Sequence, residues 1–179
     1  SEAVDLIKEI FQDFSFTSKS DMARAIYSMI TPALHFSGAL GRHRVPIEVT
    51  EANSSQAGKG YKNQINQAIY NTKIDPRDYY ISMTSNSAVM TQDLVNRSCI
   101  TRIKRQPDDY VYASFLEGDI VDHISANPSR YLGAIFTILR FWHENGKPEK
   151  KCKHNMQTFA KWASVGNWIV NEVFGLDVD

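Results

Sequence analysis

The chain has 179 residues, 42% of them hydrophobic, enough for one sizeable core or for one domain with a small appendage. Twenty basic residues balance twenty acidic ones, which excludes a global field drawing the chain onto nucleic acid or an anionic membrane and leaves only local contacts of that kind. No run approaches the roughly eighteen apolar residues of a membrane span, the acidic start SEAVDLIKEIFQDF does not read as a signal peptide, and Cys99 and Cys152 lack ligand-spaced partners, so a reduced, cytoplasmic protein without membrane contact is expected.

In chain order, Val4, Ile7, Ile10, Phe11 and Phe14 recur at roughly helical intervals. Ser20 reads as the N-cap of a second helix through Ala23, Ile26, Tyr27 and Ile30, expected to stop at Thr31-Pro32 because proline disfavours helix in the residue before it. Residues 37–44 read as a loop, 45–52 as a strand, and 59–70 as a helix with Ile65, Ala68 and Ile69 inward. Tyr79 to Thr84 and Cys99 to Lys104 read as two more strands. From Glu117 the pattern is helical: Asn127-Pro128 opens a helix through Tyr131, Ile135, Leu139 and Trp142, closed by Gly146 and Pro148, and a last stretch passes Phe159, Trp162, Trp168, Ile169 and Val173. The fold class is therefore α/β, with a strand-containing front part, 1–107, and a helical rear part, 108–179.

The segment from Val49 to Ile65, VTEANSSQAGKGYKNQI, carries the first functional signal. A phosphate cradle needs a strand to deliver the chain, backbone N–H groups turned to the oxygens, a lysine, and a helix N-terminus facing the anion. In the frame of the G-x-x-x-x-G-K-[ST] pattern the chain offers Asn53, then Ser54 to Ala57, then Gly58-Lys59-Gly60. Asn53 is a mild departure, since Asn tolerates left-handed backbone angles, whereas Gly60 removes the hydroxyl that would touch Mg²⁺. A solvated turn carrying a lysine is the plain alternative.

A second stretch, YYISMTSNSAVMTQDLVNRSCITRIKRQP from Tyr79 to Pro107, resembles the sensor-1 and arginine-finger region of AAA+ ATPases. The likeness is to helicase-like domains of phage, plasmid and mobile-element replication proteins related to primase-helicases. Their habit is a strand, T-[GS]-N-N, D-L-x-x-R, and an apolar strand with a second arginine. Thr84, Ser85, Asn86, Asp93, Leu94, Arg97 and Arg102 match, and Ser87 replaces the second Asn. YLGAIFTILRFWHENGKP resembles the lid helix of these proteins, and SDMARAIYSMITPAL the helix before their nucleotide-binding strand.

The resemblance implies a P-loop NTPase (AAA+) core with a helical C-terminal lid, and a DNA helicase-like motor that hydrolyses ATP with Mg²⁺. It implies a homo-oligomeric ring acting on DNA, single-stranded in the first instance. In that frame Ser55, Gln56, Ala57, Gly58, Lys59, Gly60 and Tyr61 hold the nucleotide. Asn86 orients the attacking water or senses the γ-phosphate, and Arg97, with Arg102 as second choice, reaches a neighbour's nucleotide in trans.

One departure is serious. The stretch from Lys59 to Asn86 has room only for a helix and one strand, whereas a working core also places strand-end carboxylates there to hold Mg²⁺. Asp75 and Asp78 in NTKIDPRD follow no apolar strand. Either that Walker B segment is lost, or a segment is missing between Tyr70 and Ile74. Two other readings stay open: a non-hydrolysing nucleotide-binding or DNA-interaction module on the same scaffold, and a helical DNA-binding domain whose loop is incidental. GKPEKKCKHN, Gly146 to Asn155, has no aromatic interleaving and reads as a solvated loop, His35, His43, His123 and His143 are scattered and support no catalytic pairing with an acid or nucleophile, and Trp142, Trp162 and Trp168 read as core.

Overall fold

The computed structural model describes residues 1–54, 57–70, 82–86, 90–152 and 157–178. Among them the chain is mixed α/β, with a four-stranded mixed sheet and seven α-helices.

The front part opens with α1 (Glu2–Ile10), which buries Leu6, Ile7 and Ile10, and the short strand β1 (Ser15–Phe16). Helix α2 (Lys19–Phe36) is capped by Ser18, not Ser20: the Ser18 hydroxyl accepts the Asp21 N–H. It also runs through Pro32 rather than stopping before it. An interior proline costs a helix about 3 kcal/mol. Burial of Ile30 and Leu34, each fully inside, contributes about 1.5–3 kcal/mol apiece and outweighs that cost. Next come β2 (Ile47–Ala52), α3 (Lys59–Tyr70), β3 (Ser82–Asn86), α4 (Gln92–Asn96) and β4 (Ser98–Lys104). Strand β3 continues past Thr84 to Asn86; the expected start at Tyr79 lies outside the described residues.

The sheet order is β1-β4-β2-β3, with β2 parallel to both neighbours and β1 antiparallel to β4. After β2 the chain forms β3 on one flank and then crosses to β4 on the other, so strand order reverses at β2. The register pairs Glu48 with Cys99, Thr50 with Thr101 and Ala52 with Ile103. Side chains alternate along a strand, so these six share one face, the face α3 covers through Lys62.

The rear part holds α5 (Ile120–Ala126), α6 (Pro128–Glu144) and, after a 3₁₀ turn, α7 (Ala160–Phe174). Pro128 starts α6 where its missing N–H is harmless. The buried stripe of α6, Tyr131, Ala134, Ile135, Ile138, Leu139 and Trp142, follows the helical period of the sequence. Helix α6 packs on α1, and α7 on α2. The Tyr27 hydroxyl donates to the Trp162 carbonyl at 2.7 Å, and Trp162 Nε1 donates to Thr31 Oγ1 at 3.0 Å. Gly166 is required here, because a Cβ would come within 2.0 Å of the Tyr27 ring. One buried cluster thus unites residues from the front and rear parts. No helix among the described residues is long and apolar enough to cross a membrane.

Candidate functional site

In an open α/β sheet, the crevice beyond the carboxyl ends of the strands, at the point where strand order reverses, is where ligands bind. Here that point is the end of β2. Ala52 is paired with Asn86 on one side and Ile103 on the other, so three strand ends stand side by side, neighbours about 4.8 Å apart. The backbone of Asn86 therefore borders the loop that leaves β2.

Within the loop, Gly58 has φ +85°, a left-handed angle that strains any side chain, and a Cβ there would touch the Phe14 ring at 3.5 Å. Lys59 begins α3 and its Nζ donates to the Ser54 carbonyl at 3.0 Å, closing the loop on itself. Gly60 has open space where a side chain would go. The first turn of α3 carries no acidic residue, so its positive end is not neutralised from within. Ala57 is buried beneath the loop with Ala52 and Ile103, against Phe14 and Phe16. Ser55 and Gln56 lie outside the described residues.

A cavity of about 310 Å³ opens beside this loop, walled by Ala57, Gly58 and Tyr61 together with Phe14, Lys104 and Tyr112. Burial, with the hydrogen bond to Asp119, pushes the Tyr61 phenol up to about 12. Burial also works to raise the Asp119 carboxyl, yet the Asp122 amide, the Tyr61 hydroxyl and the Val121 amide hold it below its ordinary value. Asp119 is at the same time the N-cap of α5, so the start of α3 is tied to the rear part.

Between the strand and the helix that flank the loop lies a feature that sequence reasoning missed. Lys62, one turn into α3, forms an ion pair with Glu48 of β2, and both side chains are only 1% exposed. Burial draws the Lys62 ammonium below its ordinary value. The pair joins the two elements that carry the loop. Around it, Thr50, Thr101 and Asn66 are buried, and Thr50 Oγ1, Thr101 Oγ1 and Asn66 Nδ2 have no hydrogen-bond partner. The missed signal is period two in β2, which puts Glu48 and Thr50 on the face of Ala52.

The two arginines part company. Arg97 closes α4 at the far end of the sheet, where its carbonyl accepts the Ile47 N–H at 2.9 Å. The six residues of β2, roughly 16 Å of strand, separate it from the loop, beyond the reach of its side chain. That side chain is exposed and pairs with Asp93 at 2.9 Å. Arg102 lies near the loop end, paired with Glu51 at 3.0 Å on the sheet face opposite Glu48.

His123 has an acid neighbour: its Nδ1 is 2.6 Å from Glu117 Oε2, and its ring stacks on Phe115 at 4.6 Å. The Asn127 amide also donates to Glu117. The three groups pin the 115–118 turn to α5, a contact invisible until the turn folds back. Asp75 and Asp78 lie outside the described residues, as do Lys153 and His154. No protein-family model, curated protein or solved structure matches the chain.

Proposed function

We propose that the chain binds a nucleoside triphosphate at the β2–α3 loop and serves as the nucleotide-binding part of an oligomeric, DNA-acting ATPase of the helicase-like kind it resembles. The observation that carries this reading is a strand–loop–helix at the reversal point among the three parallel strands of the sheet, with an aromatic-walled cavity opening directly beside the loop. The cradle suits phosphate: Gly58 supplies the left-handed turn, Lys59 the charge, and α3 a positive end with no acidic residue in its first turn. The cavity's aromatic rings suit the flat base of ATP.

The fit to Mg²⁺ is poorer. Gly60 brings no hydroxyl, Glu51 is held by Arg102, and no group of three metal-ligating side chains occurs among the described residues. Hydrolysis with Mg²⁺ would draw its carboxylates from outside the described residues. Gly60 is also what favours the second reading, a nucleotide-binding module that does not hydrolyse.

Asn86, bordering the loop, is the residue of β3 that would sense the γ-phosphate. Arg97, too far to serve its own loop, would act on the nucleotide of a neighbouring subunit, where a guanidinium binds phosphate oxygens bidentately. Titration with a fluorescent ATP analogue tests the reading. Lys59→Ala should raise Kd at least tenfold at unchanged thermal stability, and equal affinity would refute the cradle. Arg97→Ala should bind normally yet lose on the order of a thousandfold in turnover. Mixing the two inactive variants with single-stranded DNA present should regenerate activity. Mixed oligomers that stay silent would remove Arg97 from the in-trans role.

A further inference from the structure

A second cavity, of about 550 Å³, lies between the C-terminal half of α6 and the residues that follow α2. Phe136, Arg140, His143 and Lys147 belong to its wall, with Ser37 and Gly38. Phe136, Arg140 and His143 are four and then three residues apart, the spacing of one helix face. Among the described residues, no carboxylate belongs to this wall.

Lys147 is fixed on this face by the backbone. Its N–H donates to the Trp142 carbonyl at 3.1 Å, and Trp142 Nε1 donates to the Pro148 carbonyl at 3.0 Å, which ties the loop to the end of α6. Lys147 has φ +57°, and among the described residues it is the one residue other than glycine with a positive φ. Glycine or asparagine adopts that angle at lower cost, so a lysine there is the kind of backbone outlier that gathers at functional sites. The Arg140 side chain is exposed, and its pairing with Glu144, also exposed and 3.9 Å away, holds it weakly.

Cations alone would suit any anion, and Phe136 narrows the class. Its ring is 47% exposed in the same wall. The basic segment from Gly146 has no aromatic residue of its own, yet folding sets Phe136 beside Lys147. An open ring among cations matches a chain of bases joined by phosphates. Only a single strand offers base faces for such stacking, since a duplex keeps them stacked on one another.

We infer that this face of α6 binds single-stranded nucleic acid, with a base stacked on Phe136 and backbone phosphates on Arg140 and Lys147. The inference needs no nucleotide at the β2–α3 loop, so its test contains no ATP. The probe is a fluorescein-labelled oligothymidylate of about twenty nucleotides, titrated with the full chain from about 50 to 200 mM NaCl and read by anisotropy.

Affinity should fall with salt, and Phe136→Ala should lower it about tenfold. An abasic oligomer of the same length should bind the unaltered chain at least tenfold more weakly than the thymidylate. Arg140→Gln and Lys147→Asn, the second suited to the left-handed angle, should each reduce the slope of log Kd against log [NaCl] by about 0.7. All three side chains are exposed, and thermal unfolding checks that the variants fold. The abasic comparison on the unaltered chain decides even if one does not. Equal binding of the two oligomers, tighter binding of a duplex, affinity and slope unmoved by the three variants, or no binding at the lowest salt would each overturn the inference. Binding to anionic lipid vesicles but not to the oligomer would overturn it as well.

Discussion

The helical rear and the layer between α3 and the sheet are both buried, and they are built from opposite materials. Along α6 the inward positions are Tyr131, Ala134, Ile135, Ile138, Leu139 and Trp142, a stripe that gains by leaving water. Between α3 and β2 the inward positions include Glu48, Thr50, Lys62 and Asn66, groups that lose by it unless paired. Apolar packing tolerates approximate shape, whereas a buried ion pair holds only one register. The polar layer joins the strand and the helix that flank the candidate loop.

The largest expected effect tests that contrast. Lys62→Met should destabilise the chain by about 3–5 kcal/mol, because it leaves the Glu48 carboxylate buried and unpaired. Adding Glu48→Leu should restore more than half of the loss in urea unfolding. Trp142→Ala should cost a similar 3–5 kcal/mol or so, yet no second substitution in its surroundings should restore it. A double variant as unstable as Lys62→Met would mean the layer is not organised around that pair.

A smaller effect reads the layer through Cys99, on the same sheet face as Glu48. Burial pushes the Cys99 thiol up to about 11, with Arg24 and Lys62 pulling it back. At pH 8 roughly one Cys99 in a thousand is then thiolate, about a hundredfold below an ordinary thiol. Iodoacetamide labelling of Cys99, followed by peptide mass, should accelerate about tenfold per pH unit and keep rising past pH 10. A plateau near pH 9 would place Cys99 in an ordinary environment. The smallest effect is Gly60→Ala, in open space at the start of α3, which should stabilise by about 0.5 kcal/mol. A loss would show that the backbone needs glycine there.

What could be read from the sequence follows the same division. The period of Ile65, Ala68 and Ile69 predicts a helix over 59–70, and α3 spans those residues because its stripe meets an apolar core. Period two in β2 puts Glu48 on the face of Ala52, but no spacing marks Lys62 as its partner, although their pairing joins β2 to α3. Pro32 misleads for a related reason: a local rule about proline yields to burial on both sides of it. The Glu117–His123 contact forms only when the 115–118 turn folds back on α5, and no spacing along the chain announces it. The loop was legible as strand, glycine, lysine and helix, but the order β4-β2-β3, which puts Asn86 beside it and Arg97 far from it, comes from pairing alone.

The central claim, that nucleotide is held at the carboxyl end of β2, is tested most directly by hydrogen exchange with and without ATP, resolved by peptide. Residues 53–61 and the wall segments around Phe14 and Tyr112 should gain protection on binding, while the Arg97 end of the same sheet should not change in the monomer. Protection absent from 53–61 under saturating ATP, in a chain that remains folded, would contradict the account.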